Sequence, residues 1–137
     1  MSDAREILQS FLDRAWTKRD ASAIDELREP DAGSEGLADG PLDAEAFKAF
    51  HARMLATFSE VRVEIVDAVE QGDHVAARVE LEARRGDRLY RLPGALFARV
   101  TGGRIVRSWN LFDVAALLHH AGAVPAPDLA SAVASLR

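Results

Sequence analysis

Asp113 is the residue of this chain best set for chemistry, because it closes a stretch in which side chains alternate in character. From Ile105 to Asp113 the period is two, as in a strand. Ile105, Arg107, Trp109, Leu111 and Asp113 then share one face, and Val106, Ser108, Asn110 and Phe112 the other. If Ile105 and Trp109 face inward, Asp113 comes inward with them at the strand's end, beside a ligand pocket. A carboxylate against apolar walls loses hydration, so its pKa rises and it becomes a better general base near neutral pH. The competing reading is that Asp113 caps a helix starting at Val114, where Asp is favoured. One side chain can do both.

The remaining candidates each have two readings. His51 lies four after Phe47 and three before Met54 on an apolar helix face, as a hydrogen-bonded core residue or a pocket donor. Phe47 and Met54 would be pocket wall. Trp16 and Trp109 read as core, each bringing one N–H that a pocket can use. Tyr90 can donate to a ligand oxygen or pack outward from the sheet. His119 and His120 are adjacent, so they do not share a helix face, which argues against a metal pair, and no metal site is expected. The sequence has no phosphate loop, nucleophile elbow, zinc spacing or dinucleotide fingerprint.

Composition narrows the field. Without cysteine there is no disulfide, thiolate ligand or cysteine nucleophile, which fits a reducing cytoplasm, the expected location. A net charge of −5 and no basic stripe argue against nucleic acid. Met1 to Glu6 lacks the basic and apolar parts of a signal peptide. No apolar run reaches the ~18 residues of a membrane span.

The elements that must position these residues are set by the change of period along the chain. Its 137 residues suit one domain with a real core, expected over 3–123 with a tail over 124–137. Ile7, Leu8, Phe11, Leu12, Ala15 and Trp16 form one helical stripe, with Asp3 as cap and Glu6 three positions on. A short helix is expected after Asp20, ended near Pro30. Glu29 to Leu42 reads as a loop, and Asp43 caps a third helix through about Phe58.

From Val61 the period is two. Turns at Gly72-Asp73, Gly86-Asp87 and Thr101-Gly102-Gly103 separate four strands, with a bulge or bend expected at Pro93-Gly94 of the third. Val114 to His120 reads as a helix stopped by Gly122. Pro125 and Pro127 form an extended link to a helix from Asp128 to Leu136. Helices followed by tightly turned strands imply a segregated α+β domain, with the helices over the concave face of a curved antiparallel sheet.

Three stretches carry a resemblance. Phe11 to Asp20 looks like a first helix ending in an aromatic residue, then Asn (here Thr17), two residues and Asp. Phe58-Ser59-Glu60-Val61-Arg62-Val63 looks like a Phe-x-x-(Val/Leu)-x-Val helix end. Gly103 to Asp113 is similar to Gly-(Lys/Arg)-Ile-x-x-x-Trp-x-x-x-Asp, and Leu117 to Pro125 matches the segment C-terminal to that motif. The chain thus resembles the SnoaL-like polyketide cyclases of the nuclear transport factor 2-like superfamily. The resemblance implies the cystatin-like α+β cone, a homodimer through the sheet and a cofactor-free reaction on a small apolar carbonyl compound. That reaction would be an intramolecular aldol closure with Asp113 as acid/base and Trp109, His51 and Tyr90 as pocket donors or walls. The superfamily also contains non-catalytic dimeric binding modules, isomerases and dehydratases. Two departures from its pattern are that Pro30 to Gly36 holds no His, and that Gly86-Asp87 replaces a longer loop.

Overall fold

The computed structural model describes residues 3–126 and 128–137; Met1 and Ser2 of the expected non-leader start, and Pro127 of the expected link, lie outside the described residues. Helix α1 (Ala4–Leu12) begins where the Asp3 carboxylate accepts the Glu6 N–H at 2.7 Å. It runs into a π-helical turn, Asp13–Thr17, that carries buried Ala15 and Trp16. Helix α2 (Ser22–Leu27) starts one residue later than expected, after Ala21, although Asp20 still accepts the Ser22 N–H at 3.0 Å. Asp43 caps α3 (Ala44–Thr57) through the Ala46 N–H at 2.8 Å.

The sheet has five strands rather than four. Strands β2 (Glu60–Gln71), β3 (His74–Arg85), β4 (Arg88–Thr101) and β5 (Arg104–Phe112) form the expected antiparallel hairpins. The fifth, β1 (Arg28–Glu35), lies within the stretch read as loop and pairs in parallel with the edge of β5. Pro30 is tolerated there because it falls in the irregular stretch between the Arg28–Ile105 and Gly33–Arg107 pairs, where no ladder bond is required.

Of the bulge or bend expected at Pro93-Gly94, the bulge is absent. The β3–β4 register runs through it unbroken, and Pro93 stands one residue beyond the last β4–β5 pair, so it removes no bond on that side. Gly94 is required by packing instead, since a Cβ there would overlap the Phe112 ring. The irregularities lie elsewhere, at Val66 of β2 and Val106 of β5, where an extra residue twists and bends the strand.

The concave face packs against α1 and α3. Its core includes Leu8, Phe11, Phe47, Phe58, Val63, Val79, Leu96 and Ile105. Helix α4 (Val114–His120) follows β5 and is terminated at Gly122, whose φ is 79°. Helix α5 (Leu129–Ala134), capped by Asp128, stops two residues short of the expected Leu136. Among the described residues, no helix is long and apolar enough to cross a membrane.

Candidate functional site

The concave face, α1, α3 and α4 line an open cavity of about 440 Å³. Its walls are mainly apolar: Phe11, Leu12 and Trp16 from the first helix, Phe47, Phe50 and Met54 from α3, Leu96 and Phe112 from the sheet, and Leu117 from α4. Arg53 and Thr57 are polar but exposed. The other four polar residues, Arg28, Ser34, Ser108 and Asn110, cluster on β1 and β5.

Arg28 dominates that cluster. It opens β1 and is 5 % exposed. Its guanidinium carbon lies 4.8 Å from the Phe47 ring centroid and 5.5 Å from that of Phe11. One arm donates to Ser108 Oγ at 3.3 Å and another to the Gly33 carbonyl at 3.5 Å, both long bonds. Among the described residues no carboxylate pairs with it. Glu29 goes to Arg104 at 3.4 Å and Glu35 to Arg107 at 2.9 Å, and Asp31 is exposed. Burial pushes the Arg28 pKa down to about 10, which leaves it cationic at neutral pH. Ser34, fully buried, receives Asn110 Nδ2 at 3.0 Å and Ser108 Oγ at 3.2 Å, and Asn110 Nδ2 also donates to the Glu35 carbonyl at 2.8 Å.

Of the residues singled out from sequence, Trp16, Phe47 and Met54 line the cavity. His51 is buried behind it. Its Nε2 lies 2.6 Å from the Ala15 carbonyl in the π-helical turn and its ring 4.7 Å from that of Trp16. A carbonyl only accepts, so Nε2 carries the proton. Tyr90 stacks on His120 with centroids 3.9 Å apart, against the last turn of α4 and away from the cavity.

Trp109 and Asp113 stand outside as well. The Val106 bulge reverses β5 after Ile105, so Ser108, Asn110 and Phe112 turn inward while Arg107, Trp109 and Leu111 take the convex face. Trp109 is paired there with exposed Phe97, and the Arg107 guanidinium lies 5.2 Å from its ring. Asp113 is exposed, and its carboxylate accepts the Ala116 N–H at 2.9 Å as the cap of α4.

The cavity lining contains no Asp, Glu or His, and no three His, Asp or Glu converge as a metal site among the described residues. The lining offers one buried cation, three hydrogen-bonding side chains and a large apolar wall. Sequence reading missed all four polar residues. Their only signal was that Ser108 and Asn110 alternate with Trp109, on what read as the solvent face.

The SnoaL-like domain family matches residues 8–108. No curated protein matches the sequence. Among solved structures, a loop-truncation variant of IdmH is 25% identical with a TM-score of 0.72, over 81% of this chain and 93% of that one. Wild-type IdmH, a candidate polyketide cyclase from Streptomyces antibioticus, is 24% identical with a TM-score of 0.74, over 88% and 99%. A Catenulispora acidiphila protein with a ketosteroid isomerase-like fold, in complex with trimethylamine, is 24% identical with a TM-score of 0.72, over 85% and 92%. The fold is therefore ketosteroid isomerase-like, the nuclear transport factor 2-like cone.

Proposed function

We propose, from the premise that this chain belongs to the SnoaL-like domain family, that its cavity binds a small, largely apolar carbonyl compound and holds it in a folded pose. The observation that carries this is the mainly apolar space of about 440 Å³ with its buried polar groups gathered on one wall. Such a layout buries the body of a ligand while a few polar groups set its orientation. The family and the likeness to IdmH support a cofactor-free intramolecular aldol closure as the reaction. The lining can aid that closure by fixing the pose and by placing donors where an oxyanion develops. It holds no carboxylate or imidazole to take a proton. Asp113 as acid/base is a separate arm of the test.

The same reading includes a homodimer through the convex sheet face. It is supported by a row of Val69, Ala76, Phe97 and Trp109 running across four strands, with Leu111 beside it. Val69 is 70% and Leu111 62% exposed. Leu111→Arg is expected to turn a dimer into a monomer in sedimentation.

The function is tested with acetonaphthone, a neutral aromatic ketone, by calorimetric titration, and with a linear poly-β-ketone monitored for closure. Saturable ketone binding that is lost on filling the cavity with Met54→Trp is expected; its absence refutes the binding reading. Accelerated closure that survives Asp113→Asn places the chemistry in the cavity. Closure abolished by Asp113→Asn restores Asp113 as the acid/base.

A further inference from the structure

We infer that the ligand of this cavity carries a delocalised oxygen anion, a carboxylate or a stabilised enolate, at one end of its apolar body, and that Arg28 receives it. This rests on the reading of the cavity as a ligand site and names the ligand's class.

Three observations point the same way. The first is an uncompensated charge. A buried guanidinium is ordinarily paired with a carboxylate, because desolvating it alone is costly. Here the two carboxylates of its own strand that make ion pairs, Glu29 and Glu35, are engaged by Arg104 and Arg107. Arg28 is left with one hydroxyl and one carbonyl, at the long end of hydrogen bonding. Of its five N–H donors, two are engaged.

The second is the donors it leaves over. The guanidinium carbon lies over the Phe47 and Phe11 rings, and among the described residues three of its five N–H groups have no protein acceptor, which leaves them for a planar partner. A carboxylate or a 1,3-dicarbonyl enolate matches that fork with two parallel hydrogen bonds.

The third is the make-up of the polar wall. Arg28 donates to Ser108 Oγ and Asn110 to Ser34 Oγ, and the two hydroxyls lie 3.2 Å apart. Whichever hydroxyl donates across that contact, the other keeps its proton, for which no protein acceptor is present among the described residues. A cation and a free hydroxyl donor on one wall, with no carboxylate in the lining, suit an oxygen anion. A cationic or purely hydrocarbon ligand would leave both unmatched.

The test uses the full chain and three probes near neutral pH by calorimetric titration: naphthoate, its neutral counterpart acetonaphthone, and an acyl-indanedione, which is an enolate at that pH. Naphthoate or the enolate is expected to bind at least ~30-fold more tightly than acetonaphthone, the scale of a buried hydrogen-bonded charge contact. Which of the two anions is preferred decides between a carboxylate and an enolate ligand. Arg28→Met is expected to erase that preference, with cooperative urea unfolding reporting that the fold around the cavity is intact. Arg28→Lys is expected to fall between, since a point charge lacks the fork. If the methionine variant fails to fold, Ser34→Ala decides instead, with an expected drop of roughly tenfold for the anion alone. Equal affinity for anions and ketone, or an anion preference that persists in Arg28→Met, overturns the inference while leaving the pocket reading standing. No binding of any probe overturns both.

Discussion

Replacing Arg28 by methionine is expected to stabilise the fold while disabling the anion site. Methionine keeps the length of the side chain and its apolar contact with Phe11 and Phe47. Burial lowers the guanidinium pKa from its ordinary value to about 10, so folding disfavours the cation by about 3 kcal/mol at neutral pH. Linkage gives the sign. A cation whose pKa falls on folding weakens the folded state at every pH below the folded value. The penalty fades only as pH rises above about 10, where the unfolded chain holds more protons. Against this relief stand two long hydrogen bonds and the cation–π contacts, together about 2 kcal/mol. The net gain is on the order of 1 kcal/mol, or roughly 3–4 °C in Tm for a domain of this size. Thermal and urea unfolding without ligand measure it. With naphthoate added, the wild type should gain stability and the variant should not. An Arg28→Met protein that unfolds several degrees lower without ligand would refute the reasoning, since Arg28 would then serve the fold through Ser108 and Gly33.

Four further outcomes are expected. His51→Phe should lower stability by about 1–3 kcal/mol in urea unfolding, because the Ala15 carbonyl loses its donor, with probe affinity little changed. Gly94→Ala should push the Phe112 ring into the cavity, with roughly 1–3 kcal/mol of overpacking and weaker binding of every probe in calorimetry. Asp113→Ala should cost about 1 kcal/mol as a lost helix cap and leave naphthoate affinity unchanged. The Ser22 hydroxyl, and then Arg14, hold the Asp20 carboxyl down from 3.8 to about 2. Its stabilising effect is therefore present above pH 3.8 and lost as pH falls through about 2. Acid unfolding of Asp20→Asn should be shallower than wild type over that window, and parallel curves would exclude the effect.

The α+β arrangement was legible because every antiparallel connection announces itself. Gly72, Gly86, Gly102 and Gly103 all adopt positive φ at the hairpin ends, and between them the alternation of side chains is regular. Asp3 and Asp43 announced the first and third helices by the same kind of local chemistry. Strand β1 was hidden because its pairing with β5 is irregular and its other side carries only the isolated Ser34–Leu42 bridge, so its residues never needed a clean period. Pro30 and Gly33 then read as loop composition. The π-helical turn was hidden for a different reason. It keeps Ala15 and Trp16 buried, as a continuous α-helical stripe would, so the apolar pattern does not mark it, and the carbonyl that receives His51 lies within it.

The inward face of β5 was misread at one residue, and a physical signal for it was present. Strand β4 turns Leu96, Ala98 and Val100 inward, and the hairpin sets Val100 opposite Ile105. Continued without a bulge, that register would set Arg107 opposite Ala98, which is 1% exposed, and bury an unpaired cation in the core. One extra residue at Val106 moves Arg107 opposite Arg99 on the convex face, within 2.9 Å of Glu35, and sets Ser108 opposite Ala98. The cost of burying Arg107 thus outweighs the regularity of the ladder, and every residue beyond it changes face. That exchange carries Trp109 and Asp113 out of the cavity and brings Ser108 and Asn110 in, where Ser108 supports the one arginine that does remain buried. The polar wall of the cavity is therefore built of donors and a cation rather than a carboxylate, which suits the proposed oxygen anion better than abstraction of a proton.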